Sequence, residues 1–149
     1  KTDAVVVRWI KQREWYDRWH LSPENLSQDY YAPRIMNLSE SITEAYVASG
    51  AATPTDPLLT KILRGTVGCV PAYDRYFKKA LADTGAAPQA FSAKSIRTLG
   101  NLYLDHEDEF EKLRKHCGSR IEYPAAKILD MCFFEYGFQR DASSQEDSD

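Results

Sequence analysis

A chain of 149 residues that is 43% hydrophobic and 12% aromatic, with 7 glycines and 7 prolines, suits one domain burying roughly two-thirds of its unfolded surface, and excludes a disordered or fibrous protein. Three widely spaced cysteines, Cys69, Cys117 and Cys132, argue against a disulfide framework and fit a reducing, intracellular setting. The formal net charge of −3 is uneven, because four of the 22 acids sit in the last nine residues and leave 19 bases against 18 acids up to Arg140. A body so nearly neutral is not expected to bind nucleic acid strongly without sequence preference.

Residues 4–20 carry two competing signals. Val5, Val6 and Val7 favour a strand, but no turn signal interrupts the run, and a helix places Trp15 and Trp19 on one face at i and i+4. A helix is therefore expected. Arg8 follows the short apolar run at once, unlike a secretory signal, and no apolar run reaches membrane length, so the expectation is a soluble cytoplasmic protein. Ser22 and Pro23 form a helix start. Pro33 is expected to divide the next segment into a turn and a longer helix ending near Ser49, with Ile35, Leu38, Ile42, Ala45 and Tyr46 as its buried stripe and Gly50 as its stop. After a loop, Asp56 is expected to cap and Pro57 to open a further helix.

Residues 58–81, LLTKILRGTVGCVPAYDRYFKKAL, are the stretch around which the chain is organised. Leu58, Leu59, Ile62 and Leu63 recur at helical spacing before a break at Gly65, Gly68 and Pro71, and Val70, Tyr73, Phe77 and Leu81 recur after it. Pro71 is expected in the first turn of the second helix. The outer face is basic, with Lys61, Arg64, Arg75, Lys78 and Lys79 against Asp74 alone.

Beyond a small-residue loop, Phe91 and Ile96 bracket Ser92 in a hydrophobic-staple spacing that makes Ser92 a helix cap, with Ile96, Leu99 and Tyr103 as the stripe. Asp105, Glu107, Asp108 and Glu109 crowd the next helix start, where carboxylates meet unpaired amides. That helix is expected to turn Phe110, Leu113 and Cys117 inward and to end at Gly118. Pro124 starts the last helix, apolar almost all round from Ile128 to Phe138 except at Asp130, Glu135 and Gly137, the pattern of a nearly enclosed helix. Residues 141–149, DASSQEDSD, are expected as an acidic flexible tail; a sharper reading has this tail fold back over the basic break. The fold class expected is all-α: a single-domain bundle of six or seven helices over residues 1–140, around a central, largely buried C-terminal helix.

Strong catalytic motifs are missing from the sequence: it holds no phosphate loop, HExxH, GxSxG or CxxC. His116 and Cys117 are adjacent and point about 100° apart on a helix, a poor start for a metal site, and no metal or cofactor is expected. Asp130 is a carboxylate in an apolar helix and needs a partner, with Lys127 the local candidate and Arg75 the distant one. Asp74 and Asp130 together also allow a helical enzyme, a weaker reading than a helix-start carboxylate and a structural anchor.

Arg13 and His20, seven apart on one helical face, resemble the arginine–histidine motif of the all-helical HEPN ribonucleases. That resemblance would imply action on a scissile phosphate, usually across a dimer. It covers one pair of residues. The GTVG break is similar in physical type to the helix-hairpin-helix of DNA-repair glycosylases, but Gly65 and Gly68 have two residues between them where the family has one.

The function expected is a non-enzymatic interaction module that binds a protein partner through the basic helix-break-helix face, with Lys61, Arg64, Tyr73, Asp74, Arg75, Tyr76, Lys78 and Lys79 as binding residues. The alternative is a nucleic-acid-binding or nucleic-acid-processing protein using the same face, helped by the interleaved cations and rings of Arg8, Trp9, Arg13, Trp15, Arg18 and Trp19. Exposed aromatics also permit a homodimer.

Overall fold

The computed structural model describes residues 2–11, 29–68, 70–117 and 123–146. Among them are seven helices and no strand: α1 (Thr2–Lys11), α2 (Tyr31–Ala48), α3 (Asp56–Thr66), α4 (Arg75–Thr84), α5 (Ala93–Asp105), α6 (Glu107–Cys117) and α7 (Ala125–Glu146). None is long and apolar enough to cross a membrane. The N-terminal helix is present over Thr2–Lys11; Arg13, Trp15, Arg18, Trp19, His20, Ser22 and Pro23 lie outside the described residues, as does Gly118.

Two helices organise the rest. α2 packs on α1, α3 and α5, while α7 packs on α4, α5 and α6. One continuous core joins them: Ile35, Leu38, Ile42 and Tyr46 from α2, Leu59 and Leu63 from α3, Phe77 and Leu81 from α4, Ile96, Leu99 and Tyr103 from α5, and Ile128 and Leu129 from α7. The stripe read from α2 is buried as expected except for half-buried Ala45, and Gly50 takes the left-handed φ of 75° just past its end. Ser92 caps α5, its side chain accepting from the Ser95 amide. A turn at Asp29 and Tyr30 precedes α2, and Pro33 falls in the first turn of that helix, where a missing amide proton costs nothing.

Three expectations about helix boundaries are corrected. Thr55, not Asp56, is the N-cap of α3, and Leu59 N donates to its carbonyl at 2.9 Å. Gly65 lies inside α3; the reversal belongs to Gly68, whose φ is 67° and whose amide returns to Leu63 O at 3.1 Å. Pro71 does not open α4. It stands in a non-helical link before Asp74, which caps α4 by accepting from Phe77 N at 3.1 Å.

α6 departs from the inward face read for it. Phe110 is half-buried and stacks on Tyr103 at 4.8 Å, but Leu113 is 43% exposed and Cys117 is exposed. With Glu, Asp, Lys, Arg or His at eight of its eleven positions, α6 has too little apolar surface to sink into the core. It is held by polar contacts: Tyr103 donates to Glu111 Oε1 at 2.8 Å, and Arg114 clasps the same carboxylate through Nε and Nη2. The arginine holds the Glu111 carboxyl below its ordinary value.

α7 is enclosed for its first turns, where Ala125, Ala126, Ile128, Leu129 and Asp130 are buried, and shows Phe134, Tyr136 and Phe138 to solvent farther on. It does not stop at Arg140 but runs to Glu146, six residues into the segment read as a tail. Its crossing with α4 is set by Gly137, where a Cβ would stand 2.0 Å from the Tyr76 carbonyl oxygen. That oxygen is backbone and cannot swing away.

Gly137→Ala therefore forces α4 and α7 apart and should lower stability by about 3 kcal/mol, at the upper end of overpacking costs. Gly65→Ala, with nothing within 4 Å of its Cβ, should be neutral or gain up to about 1 kcal/mol from helix propensity. Urea unfolding of both variants checks the contrast. Equal effects would refute the crossing.

Because the Glu111 carboxyl lies below its unfolded value, near 4.5, its contribution is complete above that value and lost as the pH falls through the folded one. Glu111→Gln should flatten the acid limb of a stability-versus-pH curve relative to wild type while costing about 1 kcal/mol at neutral pH. An unchanged acid limb would refute the clasp.

Candidate docking face

The helix break is where the polar chemistry gathers. Its link runs through Val70, Ala72 and Tyr73, all buried, in backbone that no helix satisfies. Two side chains take over that role. Asp130 of α7 accepts from the Ala72 amide at 2.8 Å, and Thr60 of α3 accepts from the Tyr73 amide at 2.9 Å while donating to Asp56 O. Asp130 is thus the anchor expected of it, with a side chain only 5% exposed.

Its cations are Lys127, as read from the sequence, at 3.2 Å, and Arg64 at 2.5 Å. Arg75 is not a partner. It lies over the Tyr76 ring at 5.0 Å and pairs with Asp141 of α7.

The eight binding residues read from the sequence separate under this geometry. Tyr73 is 0% exposed and is withdrawn from any binding surface. Its ring lies between Phe77 and Phe91, with centroids 5.2 and 5.3 Å away. Ser95 Oγ gives its proton to Pro88 O at 2.6 Å, so the Tyr73 hydroxyl must donate to Ser95 Oγ at 2.7 Å. Burial raises its pKa further above the ordinary tyrosine range. Asp74 is spent as a cap.

The basic character is offset from within. Arg64 meets Asp130, Arg75 meets Asp141, Lys78 approaches Asp56 at 4.0 Å and Lys79 meets Asp83 at 3.6 Å. Exposed Lys61 has no ion pair among the described residues. The surface pairs are each worth about 0–1 kcal/mol, but together they remove the excess positive field that the sequence spacing suggested.

Tyr76 remains at the surface and leads to residues the sequence reading missed. Phe134 and Phe138 of α7 stack on each other at 6.4 Å, and each presents an edge-on contact to Tyr76, at 5.2 and 5.4 Å. Both rings stay open, Phe134 37% and Phe138 47% exposed. Around them the side of α7 continues as one strip, with Lys127 and Asp130 meeting Arg64 at one end and Asp141 meeting Arg75 at the other. The i, i+4 spacing of Phe134 and Phe138 was visible, but it reads equally as core until Gly137 is known to aim α7 so that only one side of it faces α4.

Comparison with known protein families, curated proteins and solved structures returns no match. The face is read from its own chemistry.

Removing the Asp130 carboxylate strands two cations and the buried Ala72 amide, so Asp130→Ala should cost about 3–5 kcal/mol, a melting-temperature drop on the order of 10 °C. Asp130→Asn keeps an acceptor for Ala72 and should lose less. Thermal unfolding followed by circular dichroism checks the order, and an alanine variant melting within about one degree of wild type would refute the anchor.

Proposed function

We propose that this chain is a non-enzymatic helical interaction module that takes a protein partner on the ridge of Tyr76, Phe134 and Phe138, with Arg75 at its rim. The observation that carries the reading is the pair of large rings left in solvent in an ordered stack. Burying each against a partner would stabilise a complex by about 1.5–3 kcal/mol. Rings and arginine are the residue types that dominate interface energetics. The basic break then serves as the flank of the site rather than its centre, and the partner surface it suits is apolar with a carboxylate placed to share Arg75.

The nucleic-acid reading is less well supported. Arg64, Arg75, Lys78 and Lys79 each already face a carboxylate, so every phosphate contact there would displace an acid, and little counterion release would remain to drive binding. A reducing, cytoplasmic setting is part of the proposal, supported by the free thiols of Cys117 and Cys132.

Benzoylphenylalanine placed at position 138 should crosslink in cells to protein of one discrete mass. The adduct should be absent from the same group at exposed position 113 and reduced severalfold by Arg75→Glu. Adducts with RNA or DNA, or indiscriminate adducts from both positions, would overturn the reading.

A further inference from the structure

We propose that Ser143 and Ser144, at the end of α7, accept phosphate from a serine kinase that reads acids downstream of its acceptor. The proposal stands independently of the docking-face reading.

One part of its basis is sequence context. After Arg140 the chain holds no base, and Glu146, Asp147 and Asp149 follow the two serines. Ser143 therefore has an acid three positions on, and Ser144 has acids two and three positions on. A basic kinase cleft binds such a run through charge-assisted hydrogen bonds.

The other part is structural. The same spacing from hydroxyl to acid recurs at Ser41, Thr53 and Ser119, and a kinase takes its acceptor as extended chain, which the fold permits unequally. Ser41 is half-buried in the middle of α2, and extending the chain there would unravel a helix that carries the core. Thr53 is in an exposed loop, but its acid, Asp56, belongs to the first turn of α3 and approaches Lys78 at 4.0 Å. Ser119 lies outside the described residues, and Arg120 follows it at once. Ser143 is exposed near the end of α7, and its hydroxyl donates to Gln139 O at 2.7 Å, a bond within the helix itself. Helix ends open at little cost, so the last turn can enter a cleft while the core stays closed.

In the transfer, the γ-phosphorus of ATP forms a bond to the serine Oγ as its bond to the β–γ bridging oxygen breaks. ADP leaves, and the hydroxyl proton passes to a carboxylate base of the kinase. The product carries a charge of about −1.5 to −2 at the negative end of the helix dipole, beside Asp141. Arg140, one turn back, already lies over the Tyr136 ring at 5.9 Å. Phosphorylation therefore loosens the end of α7.

Incubating the folded full chain with Mg-ATP and casein kinase 2, an acid-directed serine kinase, tests this. Intact mass should rise by about 80 Da per phosphoryl group, and tandem mass spectrometry should place the phosphate on Ser143 or Ser144. Ser143→Ala/Ser144→Ala should slow incorporation more than tenfold, and Glu146→Gln/Asp147→Asn, which keeps both hydroxyls, about tenfold. A kinase that requires arginine before its acceptor should transfer nothing to the pair. In the phosphorylated chain, the amides of residues 142–146 should exchange severalfold faster. No incorporation, phosphate at Ser41, Thr53 or Ser119 instead, or a rate indifferent to the acid-to-amide changes would overturn the site. Incorporation with unchanged exchange would overturn the loosening of α7.

Discussion

The buried carboxylate of Asp130 is the contact on which the arrangement turns. A chain that reverses between α3 and α4 must carry several residues of non-helical backbone through the core, and backbone amides there cannot be left without acceptors. Asp130 accepts from Ala72 and so fixes where the link passes beneath α7. Arg64 and Lys127 supply the charge that makes burying it tolerable. Thr60 does the equivalent for Tyr73 from the α3 side. With the link pinned, Asp74 is positioned to cap α4, and α4 is then aimed along α7.

The second constraint follows from the first. Gly137 lets the α4 and α7 backbones meet at a distance no side chain would permit, which locks the angle between the helices. Tyr76 is thereby set against Phe134 and Phe138, and Arg75 is carried to Asp141. An aromatic ridge at the surface is the by-product of a crossing whose interior is glycine and backbone. It is also the feature with the strongest claim to a function, since rings held open in a rigid setting lose little conformational entropy on docking.

Much of the fold was legible from local signals. The helix cap at Ser92, the stripe of α2 and the all-helical class follow from spacing and from residue chemistry within a few positions. What was hidden depends on residues far apart. Arg64 and Asp130 are 66 positions from one another, as are Arg75 and Asp141, so on a face that reads as five bases and one acid, Arg64, Arg75 and Lys78 are met by carboxylates from other helices. Tyr73 continued a helical count yet belongs to the link, because Asp130 and Thr60 satisfy its stretch of backbone without a helix. Leu113 and Cys117 kept helical spacing on a helix too charged to be buried. The apolar run of α7 gave no sign of where its enclosure would end.

The most direct test of the account is amide hydrogen exchange at Ala72, measured by NMR. If Asp130 holds the link as described, the Ala72 amide exchanges only when the core opens, with a protection factor close to that of Phe77 in α4. Exchange at Ala72 as fast as in the exposed loop at residues 51–53 would contradict it, and with it the placement of α4 and the ridge.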